Sequence, residues 1–211
     1  MATGDKTRKR KWLEKRHSYT RKTGFRGRPF KRLLIVCEGE KTEPGYFSQF
    51  KATAAVIKIV GTGYNTMSLV QEAFRLKKEA KRENAPYDEI WCVFDRDSFP
   101  TDHVDNAWQT ARKKRLKTAL SNEAFELWFL LHFDYIDAAL SRNQYQEMLS
   151  ERMGRTYRKN DPNVYLDLLS KQDVAIANAK KLISKYNPRQ PAKDNPCTEV
   201  HTLVIELNKQ K

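Results

Sequence analysis

Arg32-Leu33-Leu34-Ile35-Val36-Cys37-Glu38-Gly39 is a short, continuous apolar run that closes on an acid and a glycine. A run of this length without polar alternation reads as a strand buried on both faces, the kind found in parallel sheets. Pro44 follows where a helix can begin, with Tyr46, Phe47 and Phe50 at helical spacing. Val56-Ile57-Lys58-Ile59-Val60 is a second β-branched run, closed by Gly61 and Gly63. Asn65 then caps a predicted helix to about Asn84, with Leu69, Val70, Ala73, Leu76 and Ala80 on its inner face. Ile90-Trp91-Cys92-Val93-Phe94 is a third strand, ending at Asp95-Arg96-Asp97. A helix over Asp102 to Arg115 and a weaker strand over Leu116 to Leu120 complete the alternation. Strands alternating with helices predict βαβ units, so the fold class is α/β with a mostly parallel sheet flanked by helices.

Beyond about residue 121 the pattern is helical. Glu123 to Phe133 is apolar almost all round and predicts a buried helix. Asp161-Pro162 opens helical sequence running to Tyr186, Asn187 to Asn195 is a loop, and Asn195-Pro196 starts a last helix.

The charge of this 211-residue chain is unevenly spread. Lys and Arg number 40 against 26 Asp and Glu. Residues 1–32 alone hold 13 of the basic residues and two acids, so the rest is nearly neutral. The first 31 residues have scattered aromatics, a Gly-x-x-Gly-x-Pro break from Gly24 to Pro29 and no periodicity. Such a segment cannot offset its ordering entropy by burial, which predicts a disordered basic arm ahead of a folded domain over 32–211. Arg8, Lys9, Arg10, Lys11, Arg16, Arg21, Lys22, Arg26 and Arg28 suit a polyphosphate backbone, and the interleaved rings suit bases. The expected partner is therefore nucleic acid, DNA or RNA, tRNA included. A membrane is not expected. The arm has no amphipathic apolar face, no stretch approaches the roughly 18–20 apolar residues of a span, and a secretory h-region is absent. These features predict a soluble, cytoplasmic protein of mean hydropathy −0.78. Cys37, Cys92 and Cys197 are far apart, which argues against a disulfide framework or a zinc ribbon.

Ligands of open parallel sheets bind beyond the carboxyl ends of the strands. Glu38 ends the first strand, and Asp95 and Asp97 end the third. Residues i and i+2 of an extended chain point the same way, so the two aspartates converge, and Glu38 completes an all-oxygen set of the kind Mg²⁺ prefers. In the turn after Glu38, Lys41 is placed to neutralise a phosphoryl oxygen, and Glu40 or Glu43 to hold a second metal or orient a water. Glu126 sits among Ala124, Phe125, Leu127, Trp128 and Phe129, where a lone carboxylate needs a metal, a cation or a hydrogen bond. Glu123 would share its helical face, with Ser121 or Asn122 as cap, while His132 on another face reads as a core histidine or a proton shuttle. GxSxG, P-loop and HExxH patterns do not occur.

Three blocks carry a resemblance. They are Leu33 to Phe47, Val93-Phe94-Asp95-Arg96-Asp97, and Ser121 to Phe133. In this order they resemble the RloB-like family over roughly residues 28–209. That family is linked to restriction-modification loci and abortive-infection defence against phage, and its core is similar to the Toprim fold of topoisomerases, primases and overcoming-lysogenisation-defect nucleases. The resemblance implies a Glu after the first strand and an Asp-x-Asp after the third, here Glu38, Asp95 and Asp97. It implies a Mg²⁺-dependent phosphodiester reaction, with Mn²⁺ as a substitute, in which the aspartates hold metal and Glu38 is ligand or general acid/base. The Ser121 to Phe133 block belongs to the RloB-like group alone, so roles for Glu126 and His132 do not follow from Toprim chemistry. Position 123, often proline in the family, is Glu here. Family members often neighbour an ATPase gene, which implies an ATPase partner. The expected function is a metal-dependent nuclease of phage defence, cleaving DNA or RNA. The alternative is a non-catalytic nucleic-acid-binding or regulatory subunit, and a third reading is a phosphotransferase or polymerising enzyme on the same scaffold.

Overall fold

In the computed structural model, which describes residues 30–53, 55–63, 65–96 and 100–211, the first apolar run becomes strand β1, Lys31–Cys37. It is followed by α1 (Thr42–Phe47), β2 (Ala55–Gly61), α2 (Thr66–Arg82), β3 (Glu89–Asp95), α3 (Thr101–Lys113) and β4 (Lys117–Asn122). The chain continues through α4 (Glu126–Leu130), α5 (Arg142–Met153), α6 (Val164–Leu169), α7 (Gln172–Ile183), β5 (Cys197–Thr198) and α8 (Val200–Asn208). Lys31–Lys211 forms one compact unit. The nine basic residues assigned to the arm lie outside the described residues, as does Asp97.

The sheet order is β2-β1-β3-β4-β5, with β1 to β4 parallel and β5 antiparallel to β4. The connection through α1 steps outward to β2. The next one, through α2, crosses back over β1 to β3. The order therefore reverses between β1 and β3, which makes their carboxyl ends the topological switch point of the sheet.

Alternation along the strands divides the core. Leu33, Ile35, Cys37, Trp91 and Val93 pack with Tyr46, Phe47 and residues of α4, α7 and α8. Leu34, Val36, Ile90, Cys92 and Phe94 face Leu69, Val70 and Ala73 of α2 and Val104, Ala107 and Ala111 of α3. Burying each of these large side chains fully contributes about 1.5–3 kcal/mol. The Asn65 cap is present, its side chain accepting from the Ser68 N–H at 3.0 Å. The three cysteines are free and buried. Among the described residues no helix is long and apolar enough to cross a membrane.

Four expectations need correction. Glu123 to Phe133 is not one helix: α4 covers five residues, and turns flank it, Leu127 N–H donating to Ala124 O and His132 N–H to Phe129 O. The segment is buried on every side, so its composition carried no period to set a length. Glu123 thus precedes the helix, and Ser121 and Asn122 are not caps but the residues of β4 that pair with β5. Sequence after Asp161-Pro162 breaks into α6 and α7, the first beginning at Val164. Asn195-Pro196 leads into β5 rather than a helix, and α8 starts only at Val200. Helix α5, capped by Ser141 in a reciprocal box with Gln144, falls in the stretch that the sequence marks only as generally helical.

Candidate active site

The strand that ends in Cys37 delivers Glu38 directly to the switch point. Its carboxylate is held on both sides. The Asp95 backbone N–H donates to Oε2 at 3.1 Å, and the Thr66 hydroxyl at the start of α2 donates to Oε1 at 3.3 Å. Glu38 thereby ties β1, β3 and α2 together at the point where the sheet reverses.

Asp95 ends β3 beside it. Oδ2 accepts the Phe125 N–H at 3.1 Å and faces the Arg142 guanidinium at 3.8 Å, while Oδ1 is buried without a hydrogen-bond partner among the described residues. Burial, then the charges of Glu43 and Glu126, push its carboxyl well above the usual range; Arg142 opposes them and Glu38 adds to them. These four acids from three separated stretches are electrostatic neighbours.

Glu43 lies in the first turn of α1 and is only 8% exposed. Its Oε2 is also buried without a hydrogen-bond partner among the described residues. Burial raises its pKa first, Lys159 lowers it, Glu126 raises it again and Arg142 lowers it. The carboxylate nests against Gly39, where an added Cβ would stand 2.0 Å from Oε2. Gly39 therefore has a job that its place in a loop does not reveal: it makes room for a buried acid.

Glu126 is 5% exposed, and the Tyr157 hydroxyl donates to its Oε1 at 3.4 Å. Burial and this acid together push the Tyr157 phenol far up. Tyr157 and Lys159 reach the cluster because Asn160, with φ +70°, meets the Thr42 hydroxyl at 2.5 Å. The aromatic residues of α1 and α4 fix the two acidic segments together. The Trp128 indole N–H donates to the Tyr46 hydroxyl at 3.0 Å, and Tyr46 packs against Phe125 and Phe129.

Of the sequence-predicted residues, Glu38, Asp95, Glu43 and Glu126 come together. Lys41 and Glu40 are exposed in the preceding loop, with Lys41 at the N-terminal boundary of α1. Glu123 stands outside α4. His132 is a core residue: Nδ1 meets the Trp128 carbonyl at 2.9 Å, the ring packs edge-on against Trp128, and burial lowers its pKa to about 4. Sequence reasoning missed Thr66, Arg142, Tyr157 and Lys159. Thr66 had a signal, directly after the Asn65 cap; the other three lie in polar stretches with nothing to distinguish them.

The donors are all carboxylate oxygens, two of them buried without a hydrogen-bond partner among the described residues, a set that fits a hard divalent cation. Among the described residues no group of three or more His, Cys, Asp or Glu is arranged to hold a metal ion. The remaining member of the expected triad, Asp97, lies outside them.

A parallel α/β sheet with buried acids at its switch point defines the class of molecule. The particular family follows from comparison: the model described as RloB-like protein matches residues 33–207, and the chain belongs to that family. Neither curated proteins nor solved structures gave a match.

Proposed function

We propose that this chain is a metal-dependent nuclease that cleaves phosphodiester bonds in DNA or RNA as part of a phage-defence system. Membership of the RloB-like family is consistent with a defence-associated role. The observation that carries the reading is the pair of buried carboxylate oxygens without a hydrogen-bond partner among the described residues, Asp95 Oδ1 and Glu43 Oε2, in a cluster where burial and the neighbouring acids outweigh Arg142 at Asp95. Buried like charges without compensation are costly, and a bound cation is the direct relief.

Asp95 and Asp97, with Glu38, would hold Mg²⁺ or Mn²⁺, which when bound supplies charge neutralisation at the scissile phosphate. The Asp95 N–H and the Thr66 hydroxyl hold the Glu38 carboxylate in one orientation, as a ligand or as the group that moves a proton at the reacting oxygen. Glu43 and Glu126 add negative charge behind Asp95 and strengthen its hold on a cation. Lys41, exposed at the rim, meets a phosphoryl oxygen of the strand. The basic residues between Arg8 and Arg28 neutralise further phosphates without reading sequence. An ATPase encoded nearby is the proposed protein partner.

The test is incubation of the purified chain with plasmid, single-stranded DNA and cellular RNA, in Mg²⁺, Mn²⁺ or chelator, beside an Asp95→Ala variant. Metal-dependent cutting that the variant lacks is the expected result, and equal cutting by the variant overturns the assignment. A second reading, a non-catalytic nucleic-acid-binding subunit, rests on the basic residues between Arg8 and Arg28, whose phosphate contacts need no catalytic centre. It predicts binding that falls steeply with salt and ignores Mg²⁺.

A further inference from the structure

Strand β5 pairs with β4 only at Ser121 and Asn122, so the first four residues of β4, Lys117 to Leu120, have no strand beside them on that edge among the described residues. Alternation fixes which backbone groups face outward. Leu120 points its N–H and C=O toward Glu199, the N–H donating to Oε2 at 3.4 Å and the C=O accepting the Glu199 N–H at 2.7 Å. Thr118, two residues earlier, presents its backbone on the same side.

Helix α3 borders this open edge from one face of the sheet and α8 from the other, and between them lies a shallow, largely open depression of about 410 Å³. That lies within the roughly 300–1,000 Å³ of small-molecule sites. Trp91, four residues before Asp95 on β3, also lines it, so the depression is about 13 Å along the strand from the carboxylate cluster.

Its lining combines three kinds of group. Trp108 offers a half-buried indole, and the Arg112 guanidinium stands over its ring, 4.5 Å from the centroid. Arg112 is exposed, and among the described residues it has no acidic partner. The acid of the depression, Glu199, is already occupied by the Thr118 hydroxyl at 2.9 Å and by Arg189 at 3.5 Å, so it does not cancel Arg112. His201 is 5% exposed with Nδ1 against the Thr198 carbonyl at 3.2 Å. With the proton on Nδ1 for that bond, Nε2 is left as an acceptor.

The geometry points to a binding site for a phosphate-bearing nucleobase, with the base stacked on Trp108 and Arg112, its polar edge on the β4 backbone and His201, and its phosphate near Arg112. Planar stacking surfaces, edge-on hydrogen-bonding groups and one uncompensated cation are the three things such a ligand requires. The site is distinct from the carboxylate cluster and does not depend on its being catalytic.

Binding is measured in chelator and high salt, which suppresses contacts to the arm, by calorimetry and tryptophan fluorescence. The probes are AMP, a short oligoadenylate and pyrophosphate, tested on the full chain, Trp108→Ala, Arg112→Glu and Asp95→Asn. Saturable AMP binding is expected to weaken about tenfold or more in Trp108→Ala. It should weaken in Arg112→Glu, an exposed change that leaves the core intact, and stay unchanged in Asp95→Asn. Binding of the oligonucleotide without AMP, with the same variant pattern, assigns the site to a nucleic-acid strand instead of a free nucleotide. Pyrophosphate binding equal to AMP, or binding that neither Trp108→Ala nor Arg112→Glu weakens, overturns the proposal, and so does no saturable binding.

Discussion

The two ends of the same parallel strands treat buried acids in opposite ways. At the amino end, Glu89 at the start of β3 meets Lys31 at 2.7 Å and Lys117 at 2.9 Å, and Lys31 also meets Glu206 at 2.5 Å. Burial raises the carboxyls of Glu89 and Glu206, but Lys31 and Lys117 at the first, and Lys31 and Lys209 at the second, outweigh it and leave both lowered. At the carboxyl end of the same strand, burial raises Asp95 and the neighbouring acids raise it further, with Arg142 as a partial counterweight. Glu43 is raised in the same manner. One end spends its lysines on stability. The other keeps its acids under-compensated at a switch point, where a ligand can do the compensating, and perturbed groups in such places are candidates for function.

The sharpest way to break this contrast is to remove one acid from each end. Asp95→Ala is expected to lower metal-dependent cleavage by at least about a hundredfold, while Glu89→Ala leaves the rate within a few-fold; equal losses would show that the carboxyl end is not special.

Acid should come next in size. His132 and His201 both have pKa values lowered to about 4 by burial, below the ordinary 6.5. The unfolded chain therefore binds more protons between these values. Stability should be full above pH 6.5 and fall as the pH drops through 4, by on the order of 3 kcal/mol for each histidine. Melting temperature against pH reads this, and a flat profile over that window would contradict the buried neutral rings.

Changing charge alone should reverse sign between the ends. In chelator, at a pH high enough to ionise Asp95, Asp95→Asn removes an unwelcome charge and should raise Tm by about 2–4 °C, which is roughly 1 kcal/mol in a domain of this size. The gain should shrink as the pH falls and wild-type Asp95 takes up its proton. Glu89→Gln removes a paired charge and should lower Tm by a similar amount. Added Mg²⁺ should raise the wild-type Tm and leave Asp95→Asn unmoved.

The smallest effect belongs to Lys41. It is exposed, so Lys41→Ala should reduce cleavage only by about two- to fivefold, the size of a solvent-screened contact, with Tm unchanged.

Much of this was legible in the chain. The runs at Leu33 to Cys37 and Ile90 to Phe94 are apolar on both faces because helices cover both faces, and that alone implies a parallel sheet with its ligand end at Glu38 and Asp95. Glu126 stood out because an acid amid Phe125, Trp128 and Phe129 has no local means of solvation. The family was readable in three blocks, and the match over residues 33–207 establishes it. Where every side of a segment is buried, as around α4, periodicity vanishes, and its length depends on neighbours that the local sequence does not contain. Glu43, a loop acid like many others in the sequence, becomes a buried one because Gly39 yields room and Tyr46 pins α1 to α4. Arg142, Tyr157 and Lys159 enter the same cluster from more than forty residues beyond Asp95. Strand ends and hydrophobic faces are local consequences of side-chain order, and the sequence determines them by itself. The field at Asp95 is a sum over charges that only the folded chain brings near, and the tertiary structure decides it.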